Sequence, residues 1–207
     1  MDKKTKRKAE RTRLQIIESS AVLFNQKGYA GTSMGDIMKA TKLSKGALYG
    51  HFKNKDEIAV AAFQHAVKKV AFKVGERTRV IDNTLDKLKT VVYFYKERIL
   101  NPPIEGGCPI QNTSVDVDDN NPILRAKVIE ALDYWQERIV HTINKGIRRG
   151  EIRTEVVARE FAIRFIGTLE GGIMLAQLYK DVWYFDVMAR QLLEMIEGLK
   201  PKSDQTV

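Results

Sequence analysis

The stretch from Thr32 to Lys55, TSMGDIMKATKLSKGALYGHFKNK, constrains the fold of this chain more than any other. It reads as two short helices joined by a tight turn. Thr32 or Ser33 can cap the first helix and Ser44 the second, since a side-chain oxygen there satisfies an otherwise unpaired backbone amide. Ile37 and Met38 on the first helix, and Leu48 and Phe52 on the second, supply apolar positions that need a core. This is the sequence form of a helix-turn-helix.

Charge is distributed to match. The chain carries 35 Lys and Arg against 26 Asp and Glu, and residues 1–55 hold 13 of the bases but only 4 of the acids, leaving 22 of each in the other 152 residues. The whole excess of +9 therefore lies in the first quarter, where neutralising phosphate is its natural use. Lys3 to Lys8 taken alone is equally a solvated tail; the basic helical segment behind it favours nucleic acid.

A chain of 207 residues, 43% hydrophobic, is enough for one large or two small domains with a packed core. No run of about 18 apolar residues occurs, and no apolar segment follows the charged start. A soluble, cytoplasmic protein with no membrane partner is expected. Cys108, the single cysteine, cannot form an internal disulfide, and no Cys/His cluster offers the ligands of structural zinc. Asp116, Asp118 and Asp119 form the densest acidic cluster, yet a calcium loop begun at Asp116 would place Asn121 where glycine is required and Lys127 where a bidentate glutamate is required. A loop capping the helix at Pro122 accounts for the cluster better. His51, His65 and His141 come with no Ser/His/Asp or glycine-rich phosphate signature. No catalytic residue, metal or cofactor is expected, and the chain does not read as an enzyme.

Helical periodicity runs through the rest. A first helix is expected from about Lys8 to Lys27, turning Leu14, Ile17, Ala21 and Phe24 inward, with Gly28 as its C-cap. Asn54 opens a fourth helix with Glu57 in a capping-box position, continuing towards Lys73. Further helices are expected over Leu85–Ile99, PIQNTSVDV, Asn121/Pro122 to about Arg149, Thr154–Tyr179 and Trp183–Leu199. No alternating strand pattern or internal repeat appears. The fold class is all-α with about nine helices: a three-helix DNA-binding domain with a basic N-terminal arm over residues 1–55, and a helical domain over 56–207.

The segment GTSMGDIMKATKLSKGALYGHFKNKDEI resembles the signature of the TetR/AcrR transcriptional regulators, with capping serines, apolar spacing and the LY.HF..K ending in register. The resemblance covers roughly residues 10 to 60; beyond it, length and helix order alone agree. It implies a homodimer, a ligand cavity in the second domain and, usually, repression of a double-stranded operator relieved by a small-molecule inducer.

Residue by residue, the resemblance puts Ser44, Lys45, Gly46 and Ala47 at the start of the recognition helix. Lys45 can donate to guanine O6 or N7 or to phosphate, while Gly46 and Ala47 keep the helix face thin. Tyr49 and His51 look like phosphate clamps; core packing is the alternative for Tyr49 and the expected role of Leu48 and Phe52. Thr32, Ser33 and Lys55 add phosphate contacts from helix ends. Arg7, Lys8 and Arg11 reach the neighbouring minor groove as an arm. Two positions depart from the family. Lys42 stands where glycine is common, at a cost of about 1 kcal/mol if the turn needs positive φ, which contact with phosphate would partly offset. Gly50 replaces a bulky side chain and so loses any contact made from there.

In the second domain the ligand-lining candidates are the aromatics Tyr93, Tyr95, Tyr134, Trp135, Phe161 and Phe165, with Gln111, Asn112 and Glu170 as polar anchors. Their alternative roles are core packing, capping and surface solvation. Cys108 follows two glycines near a helix N-terminus, where the dipole favours thiolate; it is either a redox or electrophile sensor or a small buried apolar residue. The last two helices are expected to form the dimer through Ile163, Phe165, Ile166, Leu169, Ile173, Leu192, Leu193 and Ile196, with Gly167, Gly171 and Gly172 allowing close approach. The competing functional readings are a nonspecific architectural DNA-binding protein and a small-molecule binder with a vestigial DNA domain.

Overall fold

The computed structural model describes residues 3–117 and 121–201, and its described residues form nine helices and no strand. In chain order they are α1 (Lys3–Lys27), α2 (Met34–Thr41), α3 (Lys45–Tyr49), α4 (Lys55–Thr78), α5 (Thr84–Arg98), α6 (Pro109–Asp116), α7 (Pro122–Arg148), α8 (Ala158–Tyr179) and α9 (Val182–Glu197). Local chemistry explains most of the ends. Gly28 takes φ +74 after α1 and donates its amide to Phe24 O at 3.0 Å, a left-handed stop that favours glycine. Ser33 and Asp36 close a reciprocal capping box on α2. Asn54 Oδ1 accepts from Glu57 N at 2.9 Å and Glu57 accepts from Lys53 N at 2.6 Å, the expected start of α4. Asn121 accepts from Leu124 N at 2.9 Å, with Pro122 opening α7.

Two expected bounds shift. Helix α1 begins at Lys3, five residues before Lys8, because nothing between them interrupts a helix. Helix α8 begins at Ala158 instead of Thr154, since Arg153 is held to the far end of α9, its amide donating to Leu199 O at 2.9 Å and its Nε to Gly198 O at 3.0 Å.

The chain divides into two compact units, residues 1–70 with 104–131, and residues 71–103 with 132–207. The division by packing therefore differs from the 55/56 boundary read from the charge pattern: α6 and the start of α7 pack with the helix-turn-helix. The first unit centres on Ile16 and Ile17 of α1, Ile37 of α2, Leu48 of α3, Phe52 and Ile58. Leu14, expected inward, is 47% exposed; the α1 stripe is set by Ile16, Ile17, Ser20 and Ala21. A second cluster joins Ala59 and Phe63 of α4 to Val117, Leu124 and Val128.

In the second unit α9 packs on both α8 and α5. Phe161, Phe165, Ile166, Leu169 and Ile173 of α8, with Leu192 and Ile196 of α9, are buried inside this one chain. Most of the residues expected at a dimer face are thus intrachain core, because α8 and α9 bury them against each other first. Gly172 makes that approach possible: a Cβ there would lie 3.0 Å from Met188 Cβ. Helix α8 is long and apolar enough to cross a membrane by composition, but its apolar face is this core. What remains outward on α8 is a separate stripe of Ile163, Met174 and Leu178, beside Gly167 and Gly171, which have no atom within 4 Å of an added Cβ.

Candidate nucleic-acid interface

Helix α3 has two faces with different jobs. Leu48 is buried in the first core, and Phe52 just beyond the helix joins it under the Arg13 guanidinium, which lies 4.6 Å above its ring. Ser44, Lys45, Gly46 and Tyr49 point outward. Ser44 caps the helix, its Oγ accepting from Ala47 N at 3.2 Å. No atom lies within 4 Å of where a Gly46 Cβ would sit, so the approach to the backbone is open on that side. Tyr49 is 45% exposed, and the Lys45 ammonium stands 5.9 Å from its ring centre, which gathers a cation and a phenol on one solvent-facing edge. Ala47 and His51 are half-buried beside it. Gly50 closes α3 in ordinary right-handed conformation at φ −71, so its missing side chain is not a backbone requirement.

The turn before α3 is held by three features. Thr41 ends α2 with its hydroxyl on Ile37 O at 2.7 Å; Gln15 of α1 donates to Thr41 O at 2.9 Å; and Lys42 takes φ 58, the left-handed conformation that glycine fills more cheaply. Lys42 is exposed there.

The other expected contacts fall differently. Arg7, Lys8 and Arg11 are exposed, but they belong to the regular helix α1 and not to an extended arm; Lys4, Arg7, Lys8 and Arg11 share a face at helical spacing. Thr32 is fully buried, its hydroxyl donating to Gly28 O at 2.7 Å, so it braces the α1–α2 connection and cannot reach a phosphate. Ser33 is exposed but its Oγ already accepts from Asp36 N at 3.0 Å and donates to Asp36 Oδ2 at 2.6 Å. Those bonds from Ser33, with Lys27 at 3.1 Å, hold the Asp36 carboxyl well below the usual range, so a negative charge already occupies this helix start. Lys55 is half-buried with its ammonium 4.1 Å above the Tyr29 ring.

The ligand candidates divide between the two units. In the second, Tyr95 and Trp135 stack at 6.5 Å and Tyr93 and Tyr134 are exposed, while Phe161 and Phe165 stack on each other at 5.8 Å in the core. Glu170 is half-buried on α8. In the first unit, Gln111 is half-buried, and Asn112 spends its amide on Asn25 O at 3.0 Å and Gly106 O at 2.7 Å, which makes it a tether and not a free anchor. Cys108 is 8% exposed at the N-cap of α6, without a side-chain capping bond. A small crevice in the first unit is floored by Ala21, Ala59, Ala62 and Ala66, and none of the ligand candidates lines it. No cluster of three metal-ligating side chains exists among the described residues; Asp118 and Asp119 lie outside them.

Residues that local sequence reading missed are those whose partners are distant, Gln15, Asn25, Tyr29 and Asp56, and Asp116, weighed there only as a calcium ligand, accepts from the Tyr29 amide. Tyr29 donates its hydroxyl to Asp56 Oδ1 at 2.6 Å, and Asn121 Nδ2 donates to the same oxygen at 2.8 Å. No periodic signal links positions so far apart.

The chain matches known proteins over both of its parts. Residues 16–62 match the family described as bacterial regulatory proteins, tetR family, and residues 84–192 match the tetracyclin repressor-like C-terminal domain. The chain is similar to the crystal structure of a TetR transcriptional regulator from Chloroflexus aurantiacus J-10-FL, with 39% identity, a TM-score of 0.88, and 92% of this chain and 96% of that one covered. It is similar also to a TetR-family regulator from Cytophaga hutchinsonii, at 34% identity and TM-score 0.87 over 95% and 98% of the two chains. The HTH-type transcriptional repressor DhaR of Mycobacterium sp. strain GP1 is 25% identical over 93% of this chain and 94% of its own length.

Proposed function

Because the chain belongs to the TetR family of bacterial transcriptional regulators, we propose that it works as a homodimeric repressor, occupying a near-palindromic double-stranded operator until a small-molecule inducer releases it. The observation that carries the reading is the outward edge of α3, where Gly46 leaves the backbone open between exposed Lys45 and Tyr49, within the segment holding the chain's whole charge excess. Lys45 takes base edges or phosphate; Tyr49, His51, Lys42 and Lys55 take phosphate; and the exposed Arg7, Lys8 and Arg11 meet the backbone from helix α1.

The outward stripe of α8, Ile163, Met174 and Leu178, supports pairing with a second copy. Such a dimer sets two recognition helices about 34 to 36 Å apart, one turn of the duplex. Repression is steric exclusion of polymerase. Induction selects a dimer whose recognition helices are misspaced, with Tyr95, Trp135, Tyr93, Tyr134 and Glu170 of the second unit as the ligand-facing candidates. The likeness to DhaR, itself a repressor, supports repression over activation. A regulator of this class works in the cytoplasm, where its DNA is. The low exposure of Cys108 shields its thiol and leaves a noncovalent inducer as the preferred signal.

The test is binding to DNA from immediately upstream of the chain's own gene against scrambled competitor across a salt series. Competitor-resistant binding that weakens steeply with salt and is lost in Tyr49→Ala is expected. Equal binding to scrambled DNA would make the chain an architectural protein.

A further inference from the structure

Segment 104–131 belongs by packing to the first unit, yet the chain on both sides of it, through 103 and from 132, belongs to the second. Helix α6 inside this segment grips the end of α1 at two points one helical turn apart. Asn112 donates to Asn25 O and to Gly106 O, and Asn25 Nδ2 answers by donating to Glu105 O at 2.7 Å and Gly107 O at 3.2 Å. Asp116, four residues on, accepts from the Tyr29 amide. That amide begins the connection to α2, and its residue is bound at the other end as well, through the hydroxyl on Asp56.

The position of the Asp116 carboxylate is unusual in sign. It lies against Gly28, with its oxygens 3.0 and 3.2 Å from where a Cβ would stand, at the negative end of the α1 dipole. A carboxylate there is repelled by the last carbonyls of α1 and attracted by the one amide it accepts.

On this basis, and resting on the DNA-reading function proposed above, we propose that Asp116 is a positioning residue for operator recognition. Through Tyr29 it lets segment 104–131 hold the α1–α2 connection, and with it the helix-turn-helix, in reading position. Asp116 touches no DNA. Its effect passes through the orientation of α2 and α3.

The test uses the full chain, its Asp116→Ala, Asp116→Asn and Tyr49→Ala variants, and the upstream duplex with a scrambled control. Thermal unfolding and amide exchange are followed on the same samples. Asp116→Ala removes the acceptor and lowers affinity for the upstream duplex by about tenfold or more, with the salt slope unchanged and exchange faster at residues 29–33. Asp116→Asn keeps an acceptor without the charge and restores most of the affinity. Parent-like affinity in Asp116→Ala overturns the proposal, as does a loss accompanied by faster exchange throughout the chain, which would make Asp116 a general stabiliser. If the parent and Tyr49→Ala bind both duplexes alike, the DNA-reading function has failed on its own account. Exchange then decides the clasp: acceleration confined to residues 29–33 in Asp116→Ala upholds it, and none overturns it.

Discussion

The Tyr29 hydroxyl donates to Asp56 Oδ1 at 2.6 Å, tying the residue just after α1 to the first turn of α4. Burial, then the bond to Asp56 and its charge, push the Tyr29 phenol from 10.0 up to about 12. The folded state thus prefers the neutral phenol. Its contribution to stability is complete below the unfolded value near 10 and is lost as pH rises through about 12. Tyr29→Phe should cost roughly 1.5 kcal/mol near neutrality, and the gap in melting temperature between variant and parent should close on titration from pH 9 to 12. A gap constant over that range would show that the phenol does not titrate with folding.

Lys42 holds the turn between α2 and α3 at φ 58. Lysine pays about 1 kcal/mol for that conformation relative to glycine, so Lys42→Gly should raise stability by about that amount while lowering the salt slope of operator binding by about one. A stabilised variant with an unchanged slope would remove Lys42 from the phosphate contacts.

Gly46 has open space around it, so a larger residue fits the free protein. Gly46→Leu should stabilise α3 by up to about 1 kcal/mol through helix propensity. It should nevertheless weaken operator binding by two orders of magnitude, roughly the loss of one good base contact, because the added side chain holds the helix off the base edges. Parent-like affinity on the upstream duplex would mean that this face does not enter the groove.

Met174 is 50% exposed and Leu178 72% exposed on the outward stripe of α8. Met174→Glu leaves the buried face of α8 untouched and should keep the fold while shifting sedimentation from dimer to monomer. Operator affinity should fall with it, since each half-site then binds alone. A dimer unaffected by the substitution would place the interface elsewhere.

Much of this was legible locally. The capping serines, Gly28, Asn54 with Glu57 and Pro122 act on neighbours within four residues, so nine helices and their order follow from pattern. So did the basic first quarter and the exposed edge of α3. The role of α8 and α9 was less clear, because an apolar run does not say whether its partner is the same chain or another; Phe165 and Leu169 turned out to meet α9, and the outward stripe is Ile163, Met174 and Leu178.

Sequence by itself determined the helices, the helix-turn-helix and the family resemblance, because caps, periodicity and charge are short-range properties written in adjacent residues. Only the tertiary structure decided that α6 belongs with α1, that Thr32 is a brace, that Asn112 is a tether, and that Asp116 holds Tyr29. Those contacts join positions up to 87 apart, and a hydrogen bond between distant polar groups leaves no periodic trace in the chain that makes it.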